Sequence, residues 1–410
     1  MTQSRRKFIK NATLATAGTA LLPEFLSASQ SQLAEAISRA NIDNKVLVVI
    51  QLSGGNDGLN CLVPFRNDNY YKLRPKISIP RDEVYEVNDE MGFHSELRIF
   101  KDFYDQGILS VINTVGFQNV EKTHIRAMET WQTASGTGDY INRSGWIGRY
   151  LDHGCQNAAC RKPYMALEMD DSLNLALKGD KTKGLAFIDP TRTYNNFNNT
   201  FFKEVAKIRE DALEGTPLHF LYKTLGDSLA SVNHIYERSK VFKTKTPYPL
   251  TQFGVDLRTV AELIISNMET KVYYVSLPGF DTHVDQLPKH EKILAKFSDG
   301  MKSFIKDLKA NRRLEDVMVM VFSEFGRTVK ENESEGTDHG LANNVFLLSG
   351  SLKKKGLYNP MPSLANEQLD DFCLRSSVDF KTIYSTIIKR WLNAEDKLVL
   401  GREYGYLDFI

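Results

Sequence analysis

Five runs of the chain are apolar without polar alternation: 45–52, 108–115, 271–277, 316–322 and 344–350. A strand with one wet face alternates, whereas a strand covered on both faces does not. These runs therefore predict buried strands of a mostly parallel sheet. Helical spacing lies between them. Leu97, Phe100, Phe103 and Tyr104 form the apolar face of a helix opened near His94 or Ser95 and closed at Gly107. Residues 257–268 are amphipathic. Ile293, Leu294, Phe297, Met301, Phe304, Ile305 and Leu308 mark a further helix beginning at His290, and 379–392 reads as a closing helix. Strand, helix and strand over 45–115 predict right-handed parallel winding.

The pattern weakens between 138 and 255. Leu218, Leu221, Leu225, Leu229, Val232 and Tyr236 keep helical spacing. Short apolar pieces at 164–167, 173–177 and 185–188 read as strands of an inserted subdomain. The organisation expected is one α/β domain over 40–410 with an ill-defined insertion around 155–255.

In such a sheet, chemistry gathers where strands end in the C-terminal crevice. The first strand ends in Ser53-Gly54-Gly55-Asn56-Asp57-Gly58, either a backbone turn brought close to a ligand or a tight turn capped by Asp57. Thr123 starts a predicted helix, where free amides and the helix dipole favour an anion. It is read either as a nucleophile, with Arg126 one turn on to hold an oxygen, or as an ordinary cap. The strand at 271–277 runs into Asp281 and His283, a carboxylate and an imidazole two apart on a loop. The strand at 316–322 runs into Glu324 and Arg327. A charged, flexible excursion over 330–336 follows, and then Asp338 and His339. Carboxylate with imidazole on tight turns is zinc or manganese ligand chemistry. The alternatives are that Glu324 pairs with Arg327 and that Asp338 caps a turn. Convergence of these strand ends on one edge favours the metal reading.

Composition changes the picture only at its margins. Over 410 residues the formal net charge is +1, which gives no electrostatic case for nucleic acid or for an anionic membrane surface. The cysteines at 61, 155, 160 and 373 have no metal-finger spacing. Cys155 and Cys160 are close enough for a local disulfide. The N-terminus is an address: Ser4-Arg5-Arg6-Lys7-Phe8-Ile9-Lys10 precedes a short, weakly apolar stretch. It resembles a twin-arginine export signal over about 1–30, with cleavage between about 28 and 36. A periplasmic or otherwise exported protein is expected, a client of the twin-arginine machinery with no stable membrane anchor.

These residues resemble the alkaline phosphatase superfamily of sulfatases, nucleotide pyrophosphatases and phosphoglycerate mutases. More closely, they resemble the exported family called domain of unknown function fifteen-oh-one, over about 45–392. The segments that carry the likeness are Gly54-Gly55-Asn56-Asp57-Gly58, Thr123-His124 with Trp131-Gln132-Thr133, Phe280-Asp281-Thr282-His283, Ser323-Glu324-Phe325-Gly326-Arg327 and Gly336-Thr337-Asp338-His339-Gly340. The resemblance implies an α/β/α sandwich around a mostly parallel sheet. It also implies a site of one or two divalent ions, with a hydroxyl or modified cysteine as nucleophile. Thr123 matches the nucleophile. Asp281, His283 and His339 match ligands of one metal, and Glu324 the acid of a second, with Asp57 or Asp338 as supplements. Two positions depart from the pattern, since Phe325 stands for the histidine after that acid and Ser53 for an aspartate. The function implied is hydrolysis of a small-molecule or polymer phosphate or sulfate ester, with Arg126 or Arg327 steadying the transferred group. The rival is a binding or assembly protein that keeps a degenerate metal site.

Overall fold

The unalternating runs are strands covered on both sides. In β1 (Val46–Ser53), Val46, Val48 and Ile50 enter one core, and Leu47 and Val49 enter the other. The computed structural model describes residues 44–117, 121–135, 144–154, 162–205 and 217–410. The expected export signal, Cys155 and Cys160 lie outside the described residues.

Residues Lys45–Ile410 form one unit around a nine-stranded sheet. Its members are β1, β2 (Leu109–Gly116), β3 (Ala166–Glu168), β4 (Leu185–Ala186), β5 (Val272–Pro278) and β6 (Val317–Phe322). A short hairpin of β7 (Arg327–Glu331) and β8 (Thr337–His339) stands apart, and β9 (Asn343–Leu348) and β10 (Gly356–Leu357) rejoin the sheet. A second hairpin, β11 (Leu369–Asp370) and β12 (Cys373–Leu374), precedes β13 (Val378–Asp379). The sheet order is β10-β2-β9-β6-β1-β5-β3-β4, with β13 also on β2. β9 is antiparallel to both its neighbours, and the other pairings are parallel. The C-terminal ends of β1, β5 and β6 therefore share one edge with the start of β9, as expected from the sequence.

Helices cover both faces. One core takes Phe100 and Phe103 of α1 (Arg98–Asp105) together with α4 (Gln252–Ile265) and α5 (Gln286–Ala310). The other takes α6 (Phe380–Thr386) and Trp131 of α2 (His124–Thr133). Trp131 stacks on Phe322 at 4.5 Å and on Phe380 at 4.2 Å, and its Nε1–H donates to the Glu324 carbonyl at 2.9 Å. That contact ties α2 to the end of β6. The helix expected before Ser239 is α3 (Pro217–Ser239).

Two expectations change. The pieces at 164–167 and 185–188 extend the main sheet, because β3 pairs with β5 and with β4. The piece at 173–177 contains a single 3-10 turn capped by Asn174, whose side chain accepts the Ala176 N–H at 2.8 Å. Of the charged excursion at 330–336, Lys330 and Glu331 end β7 and the rest is the turn of the β7–β8 hairpin. Asn332 Oδ1 accepts the Ser334 and Gly336 N–H groups at 2.9 and 3.0 Å, and Val329 is buried beneath. Outward charges on an alternating strand had the look of a loop.

Candidate metal centre

The glycine turn after β1 fits its own neighbours rather than a ligand. Gly54 lies at φ +122°, and a Cβ there would stand 2.4 Å from the Asp281 nitrogen. Gly55 lies at φ +73°, and a Cβ there would stand 2.2 Å from the Phe325 ring. Only glycine accepts both the left-handed backbone and the close approach. Arg327 locks the same loops. Its guanidinium is fully buried and donates to the carbonyls of Gly54, Gly55 (2.6 Å), Phe280 (3.1 Å) and Thr337 (2.9 Å), and to Asp281 Oδ1 (2.6 Å). With its donors spent, Arg327 is a clamp on the strand ends and does not grip a transferred group, contrary to the sequence expectation.

Asp281 is the centre of what the clamp holds. Its Oδ1 lies 3.1 Å from His283 Nε2 and 3.5 Å from His339 Nε2, and its Oδ2 lies 3.5 Å from His124 Nε2. The two imidazole nitrogens of His283 and His339 are 3.0 Å apart. Donor atoms of His124, Asp281 and His339 lie within 4.8 Å of one another. Zinc–ligand bonds near 2.0–2.1 Å place tetrahedral ligand atoms about 3.3 Å apart, so the 3.1–3.5 Å separations about Asp281 suit one ion.

Each imidazole is oriented from behind. His339 Nδ1 meets the Lys122 carbonyl at 2.7 Å, and since a carbonyl only accepts, Nδ1 carries the proton and Nε2 a lone pair. His124 Nδ1 donates to Glu324 Oε1 at 2.9 Å, which turns its Nε2 toward Asp281. His283 Nδ1 stands 3.4 Å from Asp338 Oδ1. Acceptors behind imidazoles are the usual outer partners of metal ligands. Phe325 is the apolar floor, its ring 5.0 Å from His124 and 4.5 Å from His339. Burial lowers the His339 pKa, which favours the neutral ring. The hydrogen bond to Glu324 raises that of His124, against the opposing effect of burial. Burial alone would raise the Asp281 carboxyl. The hydrogen bond and charge of Arg327 outweigh burial and hold it below its ordinary value.

The structure thus brings Asp281, His283 and His339 into one cluster, with Glu324 and Asp338 behind two of the rings. It adds His124, which the sequence placed in a segment carrying the family likeness but gave no ligand role. Glu324 is itself buried and committed, accepting also from Gly54 N–H at 2.8 Å. Asp57 is elsewhere in purpose: Arg74 grips it at 2.7 and 3.1 Å, Gln286 donates at 2.6 Å, and its Oδ1 caps a short turn through Leu59 N–H. Those bonds leave it no room to ligate. Arg126 pairs with Glu129 at 2.8 Å and faces Glu121 at 3.9 Å on the surface. Thr123 precedes α2, exposed, its hydroxyl making no capping bond. His290 is buried against Asn56 at 3.0 Å and pushed down by burial to about 3, a core histidine. The cluster opens on a cleft of about 660 Å³ lined by His283, His339, Asp338, Lys122, Lys330 and Phe372, among others.

Residues 258–401, which carry Asp281 through His339, match the family described as "Protein of unknown function (DUF1501)". The family read from the sequence is therefore found over that part of the chain. No curated protein matches the sequence. Solved structures resemble the fold at low identity. A PsFucS1 sulfatase from Pseudoalteromonas sp. is 11% identical with a TM-score of 0.39, covering 95% of this chain and 75% of its own. The C-terminal periplasmic domain of EcEptC from Escherichia coli, in complex with Zn, is 11% identical with a TM-score of 0.36, covering 75% and 73%. Murine ectonucleotide pyrophosphatase/phosphodiesterase 5, with AMP, is 9% identical with a TM-score of 0.36, covering 86% and 96%. At such scores the likenesses say nothing of this chain's activity. No described helix is long and apolar enough to cross a membrane.

Proposed function

We propose that the chain is an exported, metal-dependent hydrolase of phosphate or sulfate esters, built around one divalent ion. The observation that carries this is the convergence of His124, His283 and His339 Nε2 atoms on the Asp281 carboxylate, two of them 3.0 Å apart. His339 Nε2 carries a lone pair, so either a proton on His283 Nε2 or a cation lies between the two nitrogens. Imidazole with carboxylate suits zinc, and manganese second.

His124, Asp281 and His339 would hold the ion, with His283 beside them. When bound, the ion supplies Lewis acidity to an ester oxygen and acidifies a coordinated hydroxyl. The chain's own residues do the rest. Glu324 and the Lys122 carbonyl fix two ring orientations, and Phe325 keeps water from beneath. Thr123 presents an unengaged hydroxyl at the start of α2, where free amides favour the anionic group of the ester. Attack by its oxygen forms a bond to phosphorus or sulfur and expels the alcohol, and water then frees the threonine.

A second reading has an observation of its own. Glu324 is held by Gly54 and His124, Phe325 stands where a further imidazole was expected, and Asp57 is gripped by Arg74. A second ion therefore finds no ligand set among these residues, as in a binding or assembly protein that only ligates. Protein recovered after export and assayed for metal and for hydrolysis of phosphate and sulfate esters decides between them. Thr123→Ala should abolish hydrolysis and keep most metal, and His339→Ala should lose both. Turnover equal to the parent's in Thr123→Ala would refute the nucleophile, and a parent inert to every ester would favour the binder.

A further inference from the structure

The geometry points to Phe372 as the residue that selects ring-bearing esters over open-chain ones, an inference that rests on the hydrolase reading above. β11 and β12 are joined by the two-residue turn Asp371-Phe372, with Asp370 paired to Cys373. Both turn residues are left-handed, at φ +49° and +57°. Turns of this kind favour asparagine and glycine, and a bulky side chain there costs stability. Burial repays that cost only in part, since 37% of Phe372 is exposed. Its position is nevertheless fixed: its carbonyl accepts the Val329 N–H of β7 at 2.7 Å, and the Asp371 carbonyl accepts from Cys373 Sγ at 3.3 Å. A strained residue held in place beside a cleft calls for a use there.

The ring lines the same cleft as His283 and His339, with the Lys330 ammonium 5.1 Å from its centroid. A flat apolar face with a cation near it, in one cavity with imidazoles and a carboxylate, fits an anionic ester carried on a sugar or aryl ring. The ring of the ligand packs on Phe372 while the ester oxygens reach the cluster. Glu331, Glu333, Asp338 and Asp371 line the cleft against Lys122 and Lys330, a balance that suits a monoester and repels a polyanion.

The test uses zinc-loaded full-length protein and two hydrolytically inert probes, phenylphosphonate and ethylphosphonate, titrated calorimetrically. Aromatic packing should favour the phenyl probe roughly three- to tenfold in the parent. In Phe372→Gly, which relaxes the turn, that preference should fall to about one while zinc content is kept and the melting temperature rises. Phe372→Asn, also at ease in the left-handed region, must lose the preference too. Equal binding of both probes by the parent, or a preference that survives either substitution, overturns the role of Phe372 and leaves the hydrolase reading standing. Failure of the parent to bind either probe overturns the role of Phe372, and if the parent also hydrolyses no phosphate or sulfate ester, the hydrolase reading falls with it.

Discussion

Replacing Glu324 by glutamine separates a group that positions a ligand from one that is a ligand. In the parent, Oε1 accepts Gly54 N–H at 2.8 Å and His124 Nδ1–H at 2.9 Å, and Oε2 meets Ser323 Oγ at 3.2 Å. Glutamine keeps the length and an amide oxygen able to take both donors, so the loop geometry survives while the charge behind His124 is lost. Outer partners of this kind are typically worth 10–100-fold in metal affinity, or about 1.4–2.8 kcal/mol. Competition of the protein with a chromophoric zinc chelator at pH 7.5 measures that loss. The hydrogen bond to Glu324 is also the chief influence raising the His124 pKa, ahead of opposing burial. Zinc affinity should therefore fall with acidification at a lower pH in Glu324→Gln than in the parent. In a His124→Ala background, Glu324→Gln should cost almost nothing further, because the ring it orients is gone. A full additional loss there would show that Glu324 meets the metal directly, and the assignment of its role would be wrong.

Three other outcomes are expected. Asp57→Asn should destabilise by about 3–5 kcal/mol in urea unfolding, because it strands the buried Arg74 charge, and should leave zinc content intact. Burial pushes the Asp57 carboxyl up, but the charge and hydrogen bonds of Arg74 outweigh it and hold the pKa low. Its stabilising contribution is therefore complete above about pH 4 and lost as pH falls through the folded value, so the gap between parent and variant should narrow in acid. Gly54→Ala at φ +122° must displace the Asp281 backbone, and should lower the melting temperature and zinc binding together; normal zinc affinity would show the loop to be slack. Lysine at both Arg5 and Arg6 should strand the precursor in the cytoplasm, and normal periplasmic yield would dismiss the twin-arginine route.

The strands were legible because burial on both faces leaves an unalternating apolar run, as in Val46–Ser53 and Val317–Phe322. Asp281, His283 and His339 were legible because strand ends in a parallel sheet converge. His124 was not: its partner Glu324 lies 200 residues away, and its own surroundings read as an ordinary helix start. Asp57 misled because an acid among glycines looks like a ligand, while nothing in the sequence marked Arg74 as the residue that claims it. Arg327 was misread for a like reason. Exposed arginine and buried arginine are the same letter, and only the carbonyls of Gly54, Gly55, Phe280 and Thr337 show which this one is.

The central claim is that one divalent ion sits among His124, Asp281 and His339. X-ray absorption of the zinc-loaded protein tests it most directly. One equivalent of zinc is expected with nitrogen and oxygen neighbours at roughly 2.0–2.2 Å, at least two imidazoles among them, and one imidazole fewer in His124→Ala. Zinc at well below one equivalent, or an imidazole signature unchanged in His124→Ala, would contradict it.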